Sequence, residues 1–228
     1  NEENVFIGHT AGCTNTLGGN VFVGSRAGKN SYASQNNTIV GRSAFENGRG
    51  SYNVVLGRQS LNSTNQSQNC NVAIGFQALC KNTGSNNVAI GSQSGFNNTT
   101  GTITAIGYQT LCANTTGVEN VALGNKALQA NTTGTNNTSI GSQSMLNNTI
   151  GEHNTAIGRD TLRTNTTACF NSAIGYQALC KNTIGFQNTS LGASSMFNNT
   201  TGACNVAVGY YALNANTTAT KVTAIGAC

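Results

Sequence analysis

Residues 154–170 read N-T-A-I-G-R-D-T-L-R-T-N-T-T-A-C-F, residues 171–187 read N-S-A-I-G-Y-Q-A-L-C-K-N-T-I-G-F-Q, and residues 188–204 read N-T-S-L-G-A-S-S-M-F-N-N-T-T-G-A-C. Laid under one another, they share a leading Asn, an aliphatic–Gly pair, a Leu or Met four residues after the Gly, and a second Asn seven residues after it. Working outward, the aliphatic–Gly pair recurs at Gly8, Gly24, Gly41, Gly57, Gly75, Gly91, Gly107, Gly124, Gly141, Gly158, Gly175, Gly192, Gly209 and Gly226, spaced by 16 to 18 residues. Self-similarity at a fixed period is the signature of a repeat architecture. No linker or change of composition interrupts it, so residues 1–228 read as one continuous solenoid without separate domains.

Composition narrows the fold class. Asn (36), Thr (31) and Gly (28) dominate the 228 residues, and all three are poor helix formers. Charged residues make up only 7% and Pro is absent, so the chain lacks the composition that keeps a polypeptide disordered. No run approaches the ~18 apolar residues of a membrane helix. A stack of hairpins would need regular two-residue turns that the pattern does not supply. The prediction is an all-β, single-domain parallel β-solenoid of about fourteen coils of 16–17 residues, stacked through parallel strand pairing.

The columns of such a stack can be assigned in advance. The residue before each anchor Gly is aliphatic, as in Ile74, Ile90, Leu123, Ile157 and Ile174. Two residues earlier stands Val, Thr or Ser, on the same strand face. Reading large apolar side chains as core points this pair inward and the intervening Ala outward, toward other chains. Leu61, Leu79, Leu111, Leu128, Met145, Leu162, Leu179, Met196 and Leu213 would face inward from a second extended segment. Asn lines four residues before the anchor, among them Asn71, Asn87, Asn120, Asn137, Asn154, Asn171, Asn188 and Asn205, predict an amide ladder. A second ladder is predicted at Asn82, Asn98, Asn114, Asn131, Asn148, Asn165, Asn182, Asn199 and Asn216. Beside it runs Thr83, Thr99, Thr115, Thr132, Thr149, Thr166, Thr183, Thr200 and Thr217.

At Asn87–Ser94 (N-V-A-I-G-S-Q-S) the chain resembles the head repeats of YadA-like trimeric autotransporter adhesins. At Ala173–Leu179 (A-I-G-Y-Q-A-L) it is similar to β-roll arrays of phage tail fibres. The resemblance implies parallel β-rolls bundled in threes, with a surface that serves adhesion. The adhesin unit is a few residues shorter than this one.

Chemistry-bearing residues are sparse. His9 and His153 lie on different coils, Glu152-His153 has no second ligand at metal spacing, and no nucleotide fingerprint occurs. Arg159, Asp160 and Arg163 read as a solvated surface patch. Neither a cofactor, a metal nor an enzymatic activity is expected, and a net charge of +5 thinly spread does not point to nucleic acid. Eight cysteines suggest disulfides Cys70–Cys80 and Cys169–Cys180 closing short loops around Gly75 and Gly175, which would fit an extracellular or virion-surface protein. Cys13 and Cys228, one near each end, would suit intermolecular links. No polar cap is evident at either end, so a slice of a longer array or end-to-end stacking is expected. The function expected is a self-associating structural protein of a fibre or filament. Its partners would be copies of itself, as a trimeric bundle or end to end. Two rivals are an ice-binding solenoid using the Thr ladder and a binder of surface glycans or a host receptor using Phe76, Tyr108, Tyr176 and Tyr210.

Overall fold

The computed structural model describes residues 3–63 and 68–227. The chain forms two compact units, Asn1–Thr116 and Gly117–Cys228. Both are all-β, and no helix occurs among the described residues. The first carries β1 (Val5–Ile7), β2 (Val21–Val23), β3 (Thr38–Val40), β4 (Val54–Leu56), β5 (Val72–Ile74), β6 (Val88–Ile90) and β7 (Ile103–Ile106). The second carries β8 (Asn120–Leu123), β9 (Thr138–Ile140), β10 (Thr155–Ile157), β11 (Ser172–Ile174), β12 (Thr189–Leu191), β13 (Val206–Val208) and β14 (Thr223–Ile225). Within each unit every strand pairs in parallel with the next in chain order, equivalent residue over equivalent residue. Val72, Ala73 and Ile74 align with Val88, Ala89 and Ile90, and Thr155, Ala156 and Ile157 with Ser172, Ala173 and Ile174. Each unit is a parallel β-solenoid with one strand per coil.

Strands stop at the anchor Gly for two reasons. Gly158 has φ +134°, and a Cβ placed there would stand 2.5 Å from the carbonyl oxygen of Gly175 in the next coil. Any side chain would therefore push the coils apart as well as strain the backbone. Beyond the anchor the chain turns rather than extends. The Ala78 N–H donates to the Gly75 carbonyl (3.4 Å) and the Asn82 N–H to the Leu79 carbonyl (3.0 Å), closing two successive turns. Gln77 and Leu79 adopt φ +56° and +50° within them, and the same left-handed values recur down both columns. The second extended segment expected from sequence is thus a pair of tight turns.

The strand faces are the reverse of the expected ones. Ala73, Ala89, Ala105, Ala122, Ala156, Ala173 and Ala207 are fully buried inside the coil, and the flanking aliphatic residues point outward. Volume is the reason. From the fifth coil onward the interior mostly accommodates one large side chain, and Leu or Met four residues after the anchor already supplies it, leaving room only for Ala or Ser opposite. The third and fourth coils are wider and bury Ile39 with Phe45 and Val55 with Leu61. A left-handed Leu costs about 1–2 kcal/mol, which its burial, worth about 1.5–3 kcal/mol, outweighs.

Two exceptional coils at the start of the chain keep the same sum of volumes. Where the strand centre carries Phe6 or Phe22, the turn position is Gly12 or Gly28, and a Cβ there would lie 2.5–2.6 Å from the ring. The two rings stack at 5.1 Å. At Gly95 the missing Leu is replaced from the neighbouring coils, by Leu79 and by Ile103, which is buried at a position that elsewhere carries Asn.

The Asn columns are buried and saturated. In the second unit Asn154 Nδ2 donates to Asn137 Oδ1 (3.1 Å) and to the Ala168 carbonyl (2.8 Å), while its own Oδ1 accepts the Asn171 backbone N–H (3.0 Å). Asn171, Asn188 and Asn205 continue the column, and Asn4, Asn20, Asn37, Asn53, Asn71 and Asn87 form its counterpart in the first unit. The second column runs Asn82–Asn98–Asn114 in one unit and Asn131–Asn148–Asn165–Asn182–Asn199–Asn216 in the other, each amide donating to the one before at 2.7–3.2 Å. These amides also hold their own corner, as Asn148 does through the Gly151 carbonyl (3.0 Å).

A double-mutant cycle tests the volume rule. Ala156→Phe alone overpacks the coil and costs about 1–3 kcal/mol, and Leu162→Gly alone forfeits its burial, at about 2–5 kcal/mol. Together they recreate the Phe–Gly arrangement of the Phe22 coil. Chemical denaturation is expected to show the pair costing at least about 1 kcal/mol less than the sum.

Candidate functional site

Three surfaces repeat along the stack. The first is the outer strand face. The columns Val5, Val21, Thr38, Val54, Val72, Val88 and Ile7, Val23, Val40, Leu56, Ile74, Ile90 cover it in the first unit. In the second unit they are Val121, Thr138, Thr155, Ser172, Thr189, Val206 and Leu123, Ile140, Ile157, Ile174, Leu191, Val208. Ile7, Ile174 and Leu191 are 58%, 41% and 44% exposed, unusually open for aliphatic residues within strands. No charged side chain interrupts either column.

The corner Thr column is differently occupied. Thr83 and Thr99 donate their hydroxyls to the carbonyls of Thr99 and Thr115 (2.6 and 2.8 Å). In the second unit Thr132, Thr149, Thr166, Thr183 and Thr200 each donate to the carbonyl of the next, ending on Thr217, at 3.0–3.3 Å. These protons are committed to the backbone at a bend, so this column offers no regular array of donors to water.

The residue after each anchor forms the third surface. Phe76, Tyr108, Tyr176 and Tyr210 are all exposed there. Behind them, in the first unit, lies a Gln column: Gln77 Nε2 donates to Gln59 Oε1 (3.3 Å), Gln93 to Gln77 (3.2 Å) and Gln109 to Gln93 (2.9 Å). The recurrent Gln two residues past the anchor is the sequence signal for this ladder, which the Asn columns overshadow.

No disulfide joins the described cysteines. Cys70, Cys80, Cys169 and Cys180 are free thiols, contrary to the pairing expected from sequence. Each belongs to its own column, with partners in neighbouring coils rather than across its own: the Cys70 N–H donates to Ser51, Cys169 Sγ accepts the Glu152 N–H (3.3 Å), and the Cys180 carbonyl accepts from Thr164 (2.9 Å). Cys13 is exposed, and Cys228 lies outside the described residues. Burial pushes the thiols of Cys80, Cys112 and Cys180 above their ordinary range, with Lys81 partly opposing this at the first two and the Asp160 carboxylate reinforcing it at Cys180.

The charge cluster is a solvated patch only in part: Arg159 and Arg163 are exposed, whereas Asp160 is not. Asp160 takes the Gln position of its coil and is buried, its carboxylate held by Arg159 Nε (3.2 Å) and Arg163 Nε (3.6 Å). His9 is exposed, and His153 stacks on Phe170 at 4.9 Å. Among the described residues no three His, Cys, Asp or Glu side chains converge as metal ligands. No helix there is long and apolar enough to cross a membrane.

No protein-family model matches the chain, and no curated protein or solved structure matches it either.

Two measurements follow from this geometry. Asn154→Ala strands the Asn171 N–H and removes one of the two donors to the Ala168 carbonyl, which keeps Asn165 Nδ2 (3.1 Å), at an expected cost of about 1–3 kcal/mol. In Asn154→Asp a carboxyl faces two acceptors, so its folded pKa rises above the ordinary ~3.9. That variant is expected to keep its stability in acid and to lose it as pH rises through the raised pKa. Separately, alkylation of the native protein under non-reducing conditions is expected to label Cys70 and Cys204 readily and Cys180 only slowly, and more slowly still below the raised pKa of its thiol.

Proposed function

We propose that this chain is a non-enzymatic structural protein whose solenoid units associate side by side with further copies of the same chain, as part of an extracellular fibre. The observation that carries this reading is the bare aliphatic strand face. All-parallel sheets are found almost exclusively with both faces covered. Here the inner face is covered by the coil's own turns, and the outer face carries no charge: an aliphatic column runs along each unit, beside one that is mostly Val in the first unit and mostly Thr and Ser in the second. Exposed apolar patches of this extent mark interaction sites.

A second copy is the fitting occupant. The face repeats its own relief at the strand spacing of about 4.8 Å, so two identical faces interdigitate in register, and a closed bundle covers every copy equally. The turns and corners, rich in Asn, Gln and Thr, stay in water. Extracellular placement rests on the resemblance to adhesin heads and tail fibres.

One observation favours a second reading, ice binding, at a place other than the corner Thr column. Thr138, Thr155 and Thr189 stand on the outer face of β9, β10 and β12 beside Ile140, Ile157 and Leu191, and their hydroxyls make no hydrogen bond to another of the described residues. A flat rank of hydroxyls and methyls at strand spacing can order water as an ice surface does. Thermal hysteresis separates the readings: none at any concentration removes the second.

Sedimentation at increasing concentration is expected to give a discrete dimer or trimer. The triple variant Ile140→Asn, Ile157→Asn, Leu191→Asn is expected to remain folded and sediment as a monomer. A wild-type chain that stays monomeric at tens of micromolar, typical of weak association at about 6–7 kcal/mol, contradicts lateral assembly.

A further inference from the structure

The surface column that follows the anchor Gly has an uneven charge distribution in the first unit. Backbone hydrogen bonds from Arg26 to His9, Ser43 to Ser25, Gln59 to Arg42, Gln77 to Arg58, Gln93 to Phe76 and Gln109 to Ser92 stack the coils here (2.8–3.1 Å). They set His9, Ser25, Arg42, Arg58, Phe76, Ser92 and Tyr108 in one line. Arg42 and Arg58 therefore occupy equivalent positions on adjacent coils, roughly 4.8 Å apart at the backbone. Both are exposed. Like charges directly opposite one another on neighbouring strands are destabilising, and neither guanidinium has an ion-pair partner among the described residues. The nearby Arg26 differs, since Glu46 stands 3.9 Å from it. From Glu46 to Glu119 the sequence contains no other acid, so nothing farther along this stripe neutralises it.

The neighbours of these arginines are aromatic and amide groups. The Arg58 guanidinium lies over the Phe76 ring, 5.7 Å from its centroid, which orients it without cancelling its charge. Phe76 and Tyr108, 41% and 46% exposed, continue the column, and the Gln59–Gln77–Gln93–Gln109 ladder runs alongside at half-buried depth. Guanidinium forks recognise carboxylate or sulfate in two-point contacts. Aromatic rings present apolar faces to the C–H faces of sugars, and amides bond hydroxyl groups. A ligand that uses all three is a sugar chain bearing acidic groups. The arrangement lies on the turn rather than on the aliphatic strand face, so it does not depend on lateral assembly.

We infer that the stripe Arg42–Arg58–Phe76–Tyr108 binds an acidic polysaccharide, with its carboxylate or sulfate groups on the two arginines and its sugar rings on the two aromatic side chains. A nucleic-acid duplex is the competing polyanion: its phosphates would satisfy the arginines, but its bases are already stacked on one another and make no use of an outward Phe and Tyr separated by Ser92.

Binding of the full chain to oligogalacturonate, dextran sulfate, unmodified dextran and a DNA duplex tests this at fixed ionic strength. The wild type is expected to bind oligogalacturonate or dextran sulfate and to ignore dextran; which of the two binds tells carboxylate from sulfate recognition. The R42Q/R58Q double variant, altered only at exposed positions, is expected to lose at least about tenfold in affinity. Phe76→Ala with Tyr108→Ala is expected to weaken polysaccharide binding severalfold and to leave DNA binding unchanged. Lys221→Gln removes one exposed charge elsewhere and is expected to change nothing. Equal binding of dextran, wild-type affinity in R42Q/R58Q, or DNA binding as tight as that of the polysaccharides and equally indifferent to the aromatic pair would overturn the inference. Unchanged thermal unfolding of each variant ties any loss of binding to the surface rather than to the fold.

Discussion

The buried Asn side chain is the constraint on which the rest of this structure depends. A coil of 17 residues with a single three-residue strand leaves many backbone groups at its corners without a strand partner, and a buried unpaired group costs about 1–3 kcal/mol. One amide per corner meets this need with all its atoms. Asn154 joins the coil before it through Asn137, the coil after it through Asn171, and the corner through Ala168. Because an Asn must stand over an Asn for the chain of amides to continue, the ladder fixes the register. Every other column follows from that: Ala over Ala inside, Ile over Ile outside, Gly over Gly at the point of closest approach.

Register alone does not decide which face is inside, and here the sequence was least informative. Period two shows that Ile157 and Thr155 share a face and that Ala156 occupies the other. Hydrophobicity then assigns Ile to the core. The structure inverts this because the interior is bounded by the coil's own width, and a side chain from the facing turn, Leu162, already fills it. The clue was present in coils that break the pattern. Phe22 with Gly28 and Ala156 with Leu162 conserve the sum of two volumes, which makes sense only if both positions project into the same space. The turn itself was hidden for another reason: Gln, Leu and Met in left-handed conformations run against their intrinsic preference, and only the burial they gain explains them.

Other features were legible to differing degrees. The period, the parallel strands and the two Asn columns can be read from residue spacing. The cysteines could not, because separation along the chain says little about position around a coil; Cys169 and Cys180 sit in separate columns that bond up and down the stack. Asp160 looked like surface charge beside two arginines, yet it replaces a Gln whose column is half-buried, and the arginines close over its carboxylate. The candidate surfaces divide the same way. The aliphatic face is visible only once the coil's inside and outside are known, whereas the run without acids that isolates Arg42 and Arg58 stands in the sequence itself.

The polarity of the strand is the most exposed part of this account, and one comparison addresses it: the denaturation midpoints of Ala173→Glu and Ile174→Glu, measured at a concentration low enough to keep the chain monomeric. If Ala173 lies inside a packed coil and Ile174 on its open face, the first change unfolds or severely destabilises the protein and the second leaves its midpoint close to that of the wild type. The opposite order would mean that the coil is wound with its aliphatic columns inside, and the assembly surface proposed here would not exist.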